Sequence, residues 1–568
     1  MNRIRQGVFR TSVCFLALTC HADWCAKERW FYFAGDLARE STAAKFGDTA
    51  DAAHDAGYNG VLLECNAGNA FLWDDGKVRK YRKILSSCAS KGMKVIPSVW
   101  SVGYGSMLSY SPDLVETAPL RDLPYIVRNG KVKFAGEELP IDNAGLEDSA
   151  ADVIFRGWET DAPGKVCFVD REVMHGGRQC IRLGPERTSE GHARLYRRIS
   201  VKPFRCYRFS AWIMVDDASD DSLKKELRIV VRGGGEDLGF NKVMESPDFH
   251  HGQWRQYGVD FYTSTNCSVH VYVGAWGMTA ARFWVDDLKI AGLPLSKVPR
   301  GAGSPFRVKR ADTGILCKEG RDYLPPSPMK DWRIKPNECP LTFEVPLGSS
   351  LKDGDRLLVD ASIPSAAHIY DKSPFGQYSA CMSDPALYEY FERSAVAVEE
   401  IFHPDFWMLS MDEIRAGGTC EACRARHTDM AHILGDCVTR QVQAIRKAHP
   451  KATVCMWSDM INPVHNAHDG YYSCRGTFHG SWNFIPKDVI VICWWLAKRN
   501  ETLPFFEQLG FRTMAAAYYD AKNLDGCRDW MESCANTPHC LGLMYTTWRG
   551  DYGKMQAFGE MMKIEEKK

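Results

Sequence analysis

Asp412 and Glu413 stand side by side at the end of an apolar run that begins at Phe406, where two carboxyls can divide proton transfer and charge stabilisation between them. Other apolar runs end in the same residue types: Asp36, Glu64, Trp100, Trp457 with Asp459, Trp494-Trp495, Tyr518-Tyr519-Asp520 and Trp548. Cleavage of a glycosidic bond needs this mixture: an acid for the leaving oxygen, negative charge for the oxocarbenium-like state, and aromatic faces for the ring. Neighbours on a strand point to opposite faces, so Asp412 and Glu413 serve one pocket only where the strand ends or twists. They cannot form the facing carboxyl pair, about 5 Å apart, of a covalent retaining enzyme, and Asp459 or Asp520 would have to supply that partner. A solvated strand end or a salt bridge to Arg415 is the plainer reading of the same pair.

Two further groups bear on chemistry. The loop Ile461–Tyr472 (INPVHNAHDGYY) holds His465, Asn466 and His468 beyond the fifth run, where it can line a pocket, although a loop histidine is more often a hydrogen-bonded surface residue. Cys420-x-x-Cys423 with His427 has the spacing of half a zinc site. A structural site needs four ligands and no second pair with firm spacing follows, so a disulfide or free thiols is the reading and no metal is expected. Trp407, Trp482 and Trp530 are read as packing residues.

The elements that must position these groups are short apolar runs followed by segments of helical period, the pattern of a parallel sheet with crossover helices. Strands are predicted at Trp30–Asp36, Tyr58–Glu64, Met93–Trp100, Phe406–Glu413, Ala452–Met460, Val489–Trp495, Arg512–Asp520 and Leu541–Trp548. Eight such runs predict an α/β fold, a (β/α)8 TIM barrel whose active site lies where the strands end. Asp384 followed by Pro385 starts one helix, with Leu387, Phe391, Val398 and Phe402 as its buried stripe, and another is predicted from Asp429 to about His449. Between the third and fourth strands, residues 146–292 alternate with period two, as in Cys206–Val215, and predict an inserted β-sandwich, a jelly roll. The expected organisation is a signal peptide at 1–22, barrel at 23–145, sandwich at 146–292, a small β-rich connector at 293–370, and barrel again at 371–568.

Equal numbers of basic and acidic residues, 71 each, leave no electrostatic footprint for nucleic acid or an anionic membrane. Arg3, Arg5 and Arg10 precede the short apolar stretch Ser12–Cys20, with cleavage expected after Ala22, so the protein reads as secreted or periplasmic. A lipid on Cys20 is disfavoured by Leu18 and Thr19, and no segment approaches the roughly 18 apolar residues of a membrane span. The 21 cysteines fall to 19 without Cys14 and Cys20, an odd number that cannot all pair.

The stretch CMSDPALYEYFERSAVAVEEIFHPDFWMLSMDEI resembles the helix and fourth strand of glycoside hydrolase family 20, the β-N-acetylhexosaminidases. The resemblance implies that Asp412 orients the substrate acetamido group and that Glu413 is the general acid/base. GDLAR resembles the family's Asp-x-x-Arg, which makes Arg39, with Asp36 nearby, a candidate for binding sugar hydroxyls. Trp457 in CMWSDM resembles the pocket tryptophan, Tyr519-Asp520 the Tyr-x-Asp region, and Trp548 the pocket-closing tryptophan. Asp459, His465 and Trp495 complete the expected substrate-binding set. The chain departs from the family at Ser410-Met411, where a Gly-Gly is usual, and at WRGDY, which lacks the usual Glu. The ends of the sandwich region resemble jelly-roll carbohydrate-binding modules. These likenesses imply a secreted, exo-acting hydrolase of β-linked N-acetylhexosamine-type sugars, using substrate-assisted retention and no metal or organic cofactor, with carbohydrate as partner and an oligomeric state that the sequence leaves open. A glycosidase for other sugars, pairing Glu413 with Asp459 or Asp520, and a non-catalytic carbohydrate-binding surface protein are the alternatives.

Overall fold

The computed structural model describes residues 26–184, 191–216, 221–277, 281–332, 339–367 and 377–565. The signal peptide read at 1–22, with Cys20, lies outside the described residues. Among those described, no helix is long and apolar enough to cross a membrane.

Eight strands pair in chain order into a closed barrel: β1 (Glu28–Ala34), β2 (Gly60–Glu64), β3 (Lys94–Val99), β4 (Phe406–Leu409), β5 (Thr453–Trp457), β6 (Ile490–Cys493), β7 (Arg512–Tyr518) and β8 (Cys540–Thr546). The pairings β1·β2, β3·β4, β4·β5, β6·β7, β7·β8 and β8·β1 are parallel. Runs such as Ile490–Cys493, in which every residue is buried, are strands because a parallel sheet covered on both faces has no polar side to alternate with.

The expected α/β class, a (β/α)8 TIM barrel carrying one sandwich, is corrected by the structure. The described residues form 31 strands against nine α-helices, and outside the barrel lie six further sheets, the larger of them antiparallel. Alternation of strand and helix also fails within the barrel segments. Between β5 and β6 the chain forms 3₁₀ turns at Asp459–Ile461 and Ser481–Asn483 and a two-residue strand, but no α-helix. Pro463 and Pro486, with Gly470, Gly476 and Gly480, interrupt every stretch there that could hold a 3.6-residue period.

By packing, the chain divides into two compact units. One comprises the described residues through Glu64, Arg79–Ile96 and the residues from Ile490 on. Its core is aromatic: Phe33 stacks on Tyr552 with ring centroids 5.9 Å apart, and the Tyr58 hydroxyl donates to the Met555 carbonyl at 2.9 Å, which fixes the last helix, Met555–Glu565.

The other unit comprises Cys65–Val78 and Pro97–Val489. The helix Pro385–Phe402 starts where the sequence marks it, with Ala386 N–H donating to Asp384 Oδ1 at 3.0 Å and Pro385 at the first position. Two antiparallel sheets lie within 138–292, one built on Cys206–Val215 and Phe283–Gly292, the other on Ala193–Ser200 and Ser268–Ala275. Their alternate residues, among them Leu195, Phe209, Ile213, Val271 and Phe283, form one buried core. Residues 117–134, read from the sequence as part of the first barrel segment, instead pair with Arg356–Pro364 and Phe343–Glu344 in a separate six-stranded sheet with its own core around Tyr125, Val308 and Val359.

Candidate functional site

β4 ends at Leu409, four residues before Glu413. Ser410 is tied back to β3: its N–H donates to the Val99 carbonyl at 3.0 Å, and its hydroxyl lies 2.6 Å from that of Ser98. The chain then leaves the sheet, and Glu413 adopts φ +44°, a left-handed conformation that costs a non-glycine residue about 1 kcal/mol or more. Its surroundings over-determine that conformation. The Glu413 N–H donates to Asp459 Oδ2 at 2.9 Å, and its carbonyl accepts from Gln377 Nε2 at 2.5 Å. Gly103 passes so close beneath that a Cβ there would meet the Asp412 carbonyl oxygen at 2.2 Å.

Because the strand has ended, Asp412 and Glu413 are not held to opposite faces. The Tyr104 hydroxyl donates to Glu413 Oε2. Burial, that hydrogen bond and the charges of Asp412 and Glu413 all hold the phenol proton on, so both carboxyls act on one hydroxyl. Arg415 Nη2 lies 2.9 Å from the same Oε2, so the salt bridge offered as the plainer reading is present. The Arg415 guanidinium also covers the Tyr472 ring at 4.8 Å. With Oε2 held twice, Oε1 has no hydrogen-bond partner among the described residues, and the side chain keeps 23% exposure.

Asp459 is fully buried, and its Oδ2 accepts from Asn466 Nδ2 at 2.9 Å as well as from Glu413 N–H. Burial pushes His465 down to about 4, against the pull of the Glu413 charge, so its imidazole is neutral at neutral pH. Trp457 is 5% exposed at the end of β5, and Trp100 is buried with its indole N–H donated to Ser394 Oγ at 2.7 Å. Sequence reasoning missed Tyr104 and Gln377. Tyr104 was findable, since it lies four residues beyond Trp100 in the loop that leaves β3.

The remaining expected residues belong to the other unit, where Tyr519 and Trp548 join Trp494 and Tyr32 in an aromatic cluster. Trp494 and Tyr519 stack with planes 2° apart and centroids at 5.9 Å, and Trp548 meets Tyr519 edge-on at 5.7 Å and Tyr32 at 4.8 Å. It is Trp494, not the expected Trp495, that lies on Tyr519, and Trp495 is 37% exposed. Tyr518, Tyr519 and Asp520 all have φ between +56° and +67°. The Asp520 carboxylate accepts from Thr547 Oγ1 and, at 2.7 Å, from the N–H of Trp548, so it positions that ring. Asp36 Oδ1 accepts from Ala38 N–H at 3.0 Å and from the Tyr81 hydroxyl at 3.1 Å, while Arg39 lies exposed at the start of the helix Glu40–Asp55.

No family model and no curated protein matches this chain. Among solved structures, a xylan-binding domain (CBM22-1) of Paenibacillus barcinonensis Xyn10C is 15% identical over 26% of this chain and 90% of its own, with a TM-score of 0.19. A Stig cyclase (Fisc) from Fischerella sp. TAU is 16% identical over 28% and 99%, with a TM-score of 0.22. A beta-N-acetylhexosaminidase is 13% identical, with a TM-score of 0.27, over 35% of this chain and 46% of its own length. Carbohydrate-active proteins are thus among the structures to which parts of this chain are similar, and none of these likenesses assigns it to glycoside hydrolase family 20.

Among the described residues, Glu116, Cys381, Cys420 and Cys423 form a group that could hold a metal ion. His427, the residue read beside the cysteine pair, is not in it.

Proposed function

We propose that the chain is a glycoside hydrolase in which Glu413 is the proton-transferring carboxyl and Asp412 its orienting neighbour. The observation that carries this reading is Glu413 itself: a strained residue beyond a barrel strand end, with Oε2 held by Tyr104 and Arg415 and Oε1 left open. Asp459 and Asp520 each spend their carboxylates on main-chain N–H groups, which disfavours either as an opposed catalytic carboxylate. A scheme without that second group is therefore favoured. In it the acetamido oxygen of the substrate attacks the anomeric carbon, the glycosidic C–O bond breaks, and Glu413 gives its proton to the leaving oxygen. Water then opens the cyclic intermediate and returns a proton to Glu413, while Asp412 accepts the acetamido N–H.

A panel of nitrophenyl glycosides tests this directly. Turnover is expected for N-acetylhexosaminides, with inhibition by a thiazoline mimic of the cyclised intermediate. Turnover of sugars without the acetamido group, unaffected by the thiazoline, would rule out substrate assistance, and no turnover of any glycoside would leave only a binding role.

The inserted sheets support binding to a polymer. Tyr196 and Tyr272 are cross-strand partners stacked at 5.3 Å, and the Arg194 guanidinium lies over both rings, held by Asp161 at 2.9 Å. Replacing both tyrosines by Ala should weaken retention on insoluble polysaccharide about tenfold, at about 0.5–1.5 kcal/mol per stacked ring, and leave turnover of small substrates intact. Unchanged retention in affinity electrophoresis would assign this face to packing alone.

A further inference from the structure

Three thiols and a carboxyl, none of them given a role above, meet in the interior of the larger unit. The Cys381 sulfur lies 3.4 Å from that of Cys420 and 3.8 Å from that of Cys423, and the Cys423 sulfur lies 3.6 Å from Glu116 Oε2. All four ligand atoms fall within 4.8 Å of one another, and all four residues are buried. A disulfide would bring two sulfurs to about 2.05 Å, far closer than any pair here. A tetrahedral zinc with Zn–S bonds of about 2.3 Å sets its sulfurs about 3.8 Å apart, with S···O edges somewhat shorter, and the observed spacings match those edges.

The surroundings are those of a ligand set rather than of idle thiols. Glu116 Oε1 accepts from Thr419 N–H at 2.7 Å, from Thr419 Oγ1 at 2.9 Å and from Cys420 N–H at 2.9 Å, which turns Oε2 toward the sulfurs. The Cys423 N–H donates to the Cys420 sulfur at 3.3 Å, the turn that a Cys-x-x-Cys pair makes when both sulfurs face one point. Gly303 leaves room beside it, since a Cβ there would lie 2.5 Å from the Cys420 sulfur. No Lys, Arg or His nitrogen hydrogen-bonds or ion-pairs with any of the four groups among the described residues, so nothing cationic compensates a buried carboxylate.

We propose that Glu116, Cys381, Cys420 and Cys423 bind one Zn²⁺ as a closed structural site, the thiols losing their protons to solvent as the metal enters. Four protein ligands leave no open position, so the ion is not a Lewis acid for a substrate. It joins the start of the strand Thr117–Arg128, the segment leading into the helix Pro385–Phe402, and the loop that carries Glu413 seven residues before Cys420. The two ligands missing from the local spacing come from 39 and 304 residues away along the chain.

The full-length protein, purified under reducing conditions with zinc supplied, should carry one zinc per chain by elemental analysis. The cobalt-loaded form should show the intense visible bands of tetrahedral cobalt with thiolate charge transfer. Cys381→Ser and Glu116→Gln should lose most of the metal and the cobalt signature, whereas His427→Ala should keep both. A chelator with a thiol-blocking reagent should release the zinc and lower the thermal midpoint of the wild type. Metal-free wild-type protein with an unchanged midpoint would overturn the site, as would a Cys381–Cys420 disulfide in intact-mass peptide maps. Loss of zinc from His427→Ala equal to that from Cys381→Ser would overturn the ligand assignment, and soluble Glu116→Gln tests it even if a cysteine variant fails to fold.

Discussion

Glu413→Gln should lower kcat on an N-acetylhexosaminide with a poor leaving group by about 10²–10⁴-fold, the range for loss of a general acid–base group. The amide keeps the shape of the side chain and an oxygen that Tyr104 and Arg415 can still donate to, so the strained backbone at φ +44° should persist. The ion pair with Arg415 is lost, but a pair whose side chains keep 25% and 23% exposure contributes little to stability, about 0–1 kcal/mol. A good leaving group needs less proton donation, so the loss should shrink on a nitrophenyl substrate in the bond-breaking step. It should remain in the water-attack step, where Glu413 must take a proton. Measuring kcat for both leaving groups and the thermal midpoint separates chemistry from folding. Full activity of Glu413→Gln on both substrates would remove Glu413 from the reaction and turn attention to Asp412, the other carboxyl acting on Tyr104.

Which parts of this arrangement the sequence could reveal follows from what marks an element locally. The starts of buried runs are marked where a polar residue gives way to apolar ones, as at Asp405-Phe406, and β4 begins there. Their ends are not marked. Ser410-Met411-Asp412-Glu413-Ile414 carries no Gly or Pro, so the expected strand ran through Glu413, whereas β4 stops at Leu409 and the carboxyls sit in a loop. The same happens at Tyr518-Tyr519-Asp520, where positive φ begins at the last strand residue without a glycine to announce it. Alternation made Cys206–Val215 legible, because a sheet with one buried face writes its period into the chain. The antiparallel partner of Thr117–Arg128, Arg356–Pro364, lies beyond the whole insertion, and no local pattern specifies pairing over that distance. Cys381 and Glu116 were hidden for the same reason. The expectation of one sandwich on a regular alternating barrel failed where pairing is long-range and where the segment after β5 is broken by Pro and Gly.

Asp459 supports the second large effect, because it touches Glu413 through the main chain and is fully buried. Asp459→Ala would leave two donors, the Glu413 N–H and Asn466 Nδ2, without the oxygen they now share at 2.9 Å. An unsatisfied buried donor costs about 1–3 kcal/mol, so the variant should be measurably less stable to denaturant. The strain at Glu413 persists only while its neighbours enforce it, and the N–H to Asp459 is one of those constraints. Relaxation of that residue would swing Oε1 away from its position, and a misplacement of about 1 Å is enough to cost about 10²-fold in rate. In the proposed mechanism Asp459 is thus a positioning residue. Its loss should fall on kcat more than on KM, because in that mechanism Asp459 acts through the position of Glu413 and not on the bound sugar. Asp459→Asn supplies an amide oxygen to the same N–H and should recover most of the rate and stability. A group that itself exchanged a proton with substrate would not be rescued in this way. Equal losses in Asp459→Asn and Asp459→Ala, with a shifted pH profile, would therefore make Asp459 a catalytic partner of Glu413 and revive the two-carboxylate mechanism.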